Sequence, residues 1–188
     1  MQNTTTSKLP GVKITKIEIL FNDFRTITLG TYKDVPTLKS AITDAGFQIS
    51  DYASDIMDQP AFTIAPQEEK IRLVEVSVAD MGFPNGTNYR SIKDRVVGTE
   101  IQLEDGLYEV QLCPAEVGPQ LRLHYKDQPK GEWLRIAMEA ITGSDGDLKL
   151  FYVEHDDDDM WLRGHNGHDV YDWDGGDRFI FCLRKKAL

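Results

Sequence analysis

The segment EHDDDDMWLRGHNGHDVYDWDGGDRF, residues 154–179, concentrates the side chains best suited to chemistry. It holds four consecutive aspartates, three of the four histidines and a D-x-D-G-G-D run. Hard divalent cations such as Ca²⁺ collect several carboxylate and carbonyl oxygens on a tight glycine-containing loop, because each oxygen must turn toward one point. Asp172, Asp174 and Asp177 have that character, with Gly175 and Gly176 beside them to supply unusual backbone angles. The spacing departs from an EF-hand loop, since the third carboxylate is displaced and the closing bidentate glutamate is missing. The imidazoles of His155, His165 and His168 suit zinc, nickel or copper better. Three such ligands converging beside an open coordination position would make a metal-dependent hydrolase with its site in 155–177. A plainer reading competes with it, because Asp and Gly are the default residues of exposed turns. The segment is then a solvated acidic loop, with no cofactor or with a divalent cation held opportunistically.

Charge points the same segment toward a different role. The formal net charge of −10 argues against nucleic-acid backbone binding, which needs clustered Lys and Arg. It favours a protein partner with a basic surface, or self-association through oppositely charged patches. Between Ser144 and Asp177 eleven acidic residues face only Lys149 and Arg163, and the chain then turns basic through Arg178, Arg184, Lys185 and Lys186. Asp156, Asp157, Asp158 and Asp159 with Trp161 make the candidate binding surface, since Trp is enriched at binding hot spots. Alternation places Arg122, His124 and Arg135 on the non-core faces of strands that would extend it. The expected function is a non-enzymatic binding or interaction protein using an acidic surface, for example inhibitor- or immunity-like. A structural or assembly component is a third reading.

Nucleophilic chemistry has less support. Cys113, Glu116 and His124 offer a thiol, a carboxylate and an imidazole, a set that acts only when the three converge. Cys113 precedes Pro114 at an expected strand end, and His124 is expected to face away from the core. The chain lacks a G-x-S-x-G elbow, a P-loop and H-E-x-x-H. Cys113 and Cys182 belong to no C-x-x-C pair, and each sits in or beside an apolar run where a small buried thiol is expected. Their spacing leaves a disulfide open.

These side chains need a scaffold of about one domain, or two small ones sharing a core, at 188 residues. An apolar fraction of 40% suffices for a packed interior. No apolar run approaches the roughly 18 residues of a membrane span, and MQNTTTSKLPG has no signal-peptide stretch, so a cytoplasmic protein without membrane contact is expected. Residues 1–10 read as a flexible arm. VKITKIEILF (12–21) and FRTITLG read as a hairpin turning at Asn22-Asp23. Asp34 and Pro36 open a helix with Leu38, Ala41, Ile42 and Ala45 on one stripe, stopped by Gly46. A short helix capped by Ser50 and the strands AFTIA (61–65) and IRLVEVSVA (71–79) complete a β-β-α-β-β unit over 11–81, the short helix apart. GFPNGT marks the boundary to a mainly antiparallel β unit over 82–188, either separate from the first or continuous with it. In it a helix carries Tyr89, Ile92 and Val96, and LYEVQLC, LRLHY, WLRIAMEAI, LKLFYV and RFIFCLR read as strands. The fold class is α+β.

The blocks LVEVSVADMGFPNGTNY, LCPAEVGPQLRLHYKDQPKGEWLRIAMEAITGSDGDL and DRFIFCLRK are similar to a group of bacterial and phage-related proteins with no assigned activity. TLGTYKDV and ISDYASDIMDQPAF resemble the part that precedes them in the same group. The resemblance implies one recurring unit and carries over no chemistry.

Overall fold

The computed structural model describes residues 18–186. The expected arm and residues 12–17 of the expected first strand lie outside that range. Residues 18–21 are irregular. Asn22-Asp23, expected as a turn, instead open β1 (Asn22–Leu29), which is bulged between Asp23 and Arg25. Its antiparallel partner is β3 (Glu69–Ser77), where Ile27 lies opposite Ile71 and both are buried.

Local signals set the helices of the first half. The Asp34 carboxylate accepts from the Thr37 N–H at 2.8 Å, so α1 (Val35–Asp44) starts there and buries Leu38 and Ile42. After β2 (Gln48–Ile49), the Ser50 hydroxyl caps α2 (Asp51–Met57). Residues 61–65 do not form the expected strand. Pro60 and Pro66 bound the segment, and the Ala65 N–H donates to the Glu116 carboxylate instead of to a ladder. Asn88, the last residue of β4 (Thr87–Asn88), caps α3 (Tyr89–Val96), which buries Tyr89, Ile92 and Val96 as its spacing predicts.

β5 (Glu100–Leu103) and β6 (Gly106–Gln111) form a hairpin. The main departure follows it. LRLHY lies in α4 (Val117–His124) and its C-cap, not in a strand. Pro119 falls in the first turn, where a missing N–H costs no helical bond. Val117, Leu121, Gln120 and Arg122 are all buried, so the polar positions that imitate alternation point inward as well. The helix sits so close to the sheet that a Cβ on Gly118 would lie 2.7 Å from Phe151. Only glycine fits that contact.

The remaining strands are β7 (Trp133–Ile136), β8 (Ile141–Thr142), β9 (Leu148–His155), β10 (Met160–Asn166), β11 (Asp172–Trp173) and β12 (Arg178–Lys185). WLRIAMEAI thus runs from β7 through irregular chain into the first residue of β8. Ten strands form one sheet in the order β1-β3-β12-β7-β9-β10-β2, with β6 also on β12, β5 on β6 and β8 on β9. All its pairings are antiparallel except β12 with β7 and β10 with β2. β12 joins β3 of the first half to β7 of the second, so both expected units share one sheet and one core. Phe151, Phe179 and Phe181 are fully buried there. Each such side chain contributes roughly 1.5–3 kcal/mol of transfer free energy.

Helices α1, α2 and α4 cover one face of the sheet. On the other face α3 covers β12, where Tyr89 stacks on Phe179 at 5.8 Å. The β4–β11 ribbon lies beside it, with Trp173 against Phe179 at 5.2 Å. Beyond that cover, Trp133 of β7 is exposed and Trp161 and Arg163 of β10 are half-buried, while Tyr152 and Glu154 of β9 are buried between them.

Candidate functional site

Strand register builds a partly exposed patch, with Trp133 at the surface and Tyr152, Glu154 and Arg135 buried beneath it. Glu154 lies opposite Trp133 on one side and Trp161 on the other, while Tyr152 lies opposite Arg135 and Arg163. Cross-strand partners share a face, so these six residues form two rows across three strands. The intervening Leu134 and Leu162 are fully buried on the helical side. Trp133 keeps 41% of its surface exposed while stacking on Tyr152 at 5.7 Å. The Arg163 guanidinium lies 4.2 Å from the Trp161 ring centroid.

The cations of this patch are already matched. Arg163 pairs with Glu154 at 2.5 Å and with Asp156 at 3.1 Å, and Arg135 pairs with Asp177 at 2.8 Å. Burial pushes the Glu154 carboxyl above its ordinary value, with Arg163 opposing. Burial also raises the Tyr152 phenol to about 12. The open capacity of the surface is therefore aromatic and acidic. Asp156 closes the β9–β10 turn by accepting from the N–H groups of Asp158 and Asp159 at 3.0 and 2.8 Å. Asp157 and Asp158 stand exposed at its tip.

The other residues expected at a site are dispersed. Arg122 is fully buried at the end of α4, and the His124 ring nitrogen bonds the Gln120 carbonyl at 2.8 Å. Neither joins the polar stripe expected with Arg135. Of the candidate metal ligands, His155 bonds the Gln128 carbonyl at 2.5 Å, and the Asp177 carboxylate accepts from the Asp174 N–H at 2.9 Å. His168 lies in the loop after β10, and Asp172 is exposed in β11. Among the described residues no three His, Cys, Asp or Glu side chains gather as a group able to hold a metal ion.

His165 has become part of an aromatic cluster, 5.0 Å from Trp173, 5.4 Å from Tyr171 and 5.9 Å from Tyr152. Burial holds its pKa below 6.5, Arg135 adds to the effect, and the Asn166 backbone and Asp177 oppose it. The unfolded imidazole therefore takes a proton more readily than the folded one. Stability should fall as pH drops below 6.5 and be insensitive to this residue above it. Urea midpoints from neutral to mildly acidic pH check this, and His165→Phe should flatten that part of the profile.

A crevice of about 290 Å³ opens where β10 meets α2, lined in part by Tyr52, Asp145, Lys149 and His165. Its buried amine is committed, since Lys149 pairs with Asp145 and lies 5.0 Å from the Tyr52 ring. The patch thus carries the stronger recognition chemistry. One sequence signal could have located it. The tripeptide W-L-R occurs twice, at 133–135 and 161–163, and both copies flank the same strand with Trp against Glu154 and Arg against Tyr152. A scan of protein-family models matches none, and searches of curated proteins and of solved structures return no match.

Proposed function

We propose that the protein is a non-catalytic binding module that takes a basic segment of a protein partner on the β7–β9–β10 face. The observation that carries this reading is the half-exposed Trp133 stacked on Tyr152, on a face whose arginines are all paired and whose rim is acidic. An incoming Arg or Lys lays its stem on the indole and gains roughly 0.5–2 kcal/mol from the ring. The Asp157 and Asp158 carboxylates at the neighbouring turn steer its approach, an effect that weakens with salt. With a net charge of −10 the whole chain adds to that steering.

Tryptophan fluorescence tests the reading, because two of the three tryptophans lie on this face. An oligo-arginine peptide should give a saturable change that weakens as salt rises, whereas an oligo-glutamate peptide should give none. Trp133→Ala should weaken binding about tenfold, in line with loss of a hot-spot aromatic. Asp157→Asn with Asp158→Asn should flatten the salt dependence. No saturable response to the arginine peptide, or equal affinity after Trp133→Ala, would remove the proposal.

A further inference from the structure

The two cysteines are far apart in sequence and adjacent in the core. β6 and β12 place Cys182 opposite Gln111, and the chain then carries Cys113 just past the last ladder pair. The Cys182 thiol donates to the Leu112 carbonyl at 3.1 Å, immediately before Cys113, and the Cys113 thiol reaches the Ile180 carbonyl at 3.4 Å, two residues before Cys182. Each thiol thus lies against the backbone that carries the other. We infer that Cys113 and Cys182 form a reversible oxidation site, a dithiol that a peroxide of the hydrogen peroxide class converts to an internal disulfide.

The pair divides the roles. The neighbouring Cys113 thiol, helped by Arg184, lowers the Cys182 pKa against the effect of burial, while burial holds Cys113 protonated. The Cys182 sulfur attacks one peroxide oxygen, the O–O bond breaks, and the departing hydroxide takes a proton to leave as water. The Cys113 sulfur then attacks the resulting sulfenic acid, the S–O bond breaks, and a second water leaves with the Cys113 proton. The two sulfurs together lose two electrons, and one hydrogen peroxide gains them. Both thiols are buried, so entry requires opening of the 112–116 link, where the β6–β12 ladder has already ended. The product ties that link to the central strand of the sheet.

The test treats the full chain with hydrogen peroxide at native pH and reads intact mass and a non-reducing peptide map. The expected product has lost two hydrogen atoms, contains a linked Cys113–Cys182 peptide pair, and reverts with dithiothreitol. A Cys113→Ser variant should accumulate a dimedone-trappable sulfenic acid at Cys182, and a Cys182→Ser variant should accumulate none at Cys113. Two thiols still free after treatment would overturn the inference. So would over-oxidation without a linked peptide, or linkage only between chains.

Discussion

Arg122→Ala is expected to lower the unfolding free energy by about 3–5 kcal/mol, the range seen when a buried charged network is broken. For a chain of this size the melting temperature should fall by roughly 10 °C. The guanidinium is fully buried and holds together parts of the fold distant in sequence. It donates to Gln128 Oε1 at 2.6 Å, to the Glu154 carbonyl at 3.2 Å and to the carbonyl of Tyr125 just beyond the end of α4. The Phe47 ring closes over it at 4.8 Å. Its charge is balanced by carbonyl oxygens at a helix C-terminus rather than by a carboxylate in direct contact, and burial lowers its pKa to about 10. This decides between two expectations. Replacing a buried ion pair by apolar groups can be neutral, but here the acceptors are main-chain and amide oxygens that would stay behind, each costing about 1–3 kcal/mol when left dry. Arg122→Met should therefore remain strongly destabilised despite filling much of the volume. Urea denaturation reads both variants, and wild-type stability in Arg122→Met would show the donors to be dispensable.

Glu116→Gln should cost about 2–4 kcal/mol, because charge-assisted bonds are lost and a donor is forced against a donor. The Glu116 carboxylate accepts from the Gly30 N–H at 2.7 Å, the Ala65 N–H at 2.8 Å and the Gln120 amide at 3.0 Å. It fastens the turn after β1 and the irregular 61–65 segment to the start of α4. Gly30 has φ +71° and a Cβ there would lie 2.3 Å from the Gln67 carbonyl oxygen, so this turn has little latitude to find other partners. A glutamine keeps one acceptor oxygen and turns an amino group toward the other N–H. Amide exchange gives a local readout: Gly30 and Ala65 should lose protection ahead of the core strands.

Both residues lie in the part of the chain where sequence reasoning failed, and for one physical reason. Alternation assumes that polar side chains face water. In CPAEVGPQLRLHY the residues Glu116, Gln120 and Arg122 are buried, Glu116 and Arg122 against backbone groups from elsewhere and Gln120 against the Thr31 hydroxyl and the Glu116 carboxylate, so a buried helix imitates a strand. Where polarity and burial agree, the pattern is legible. The stripe of Leu38 and Ile42, the Ser50 and Asn88 caps, the turn at 143–147, and the doubly buried β9 and β12 all follow from their residues. The N-terminal boundary was harder, because β1 pairs with β3 across about forty residues of intervening chain. The face on β7, β9 and β10 was half visible. Arg135 and Trp161 stand out by type, but Glu154, Tyr152 and Arg163 acquire meaning only through register, which single-strand periodicity does not contain.

The most direct test of the proposed face is an NMR titration with an oligo-arginine peptide, following the three indole N–H signals after assignment by Trp→Phe substitution. Trp133 and Trp161 should shift together and saturably, along with the amides of 152–159, while the indole of Trp173, which is 3% exposed, stays in place. Shifts confined to other surfaces, such as the Asp145–Asp147 turn, or a uniform drift without saturation, would contradict the account.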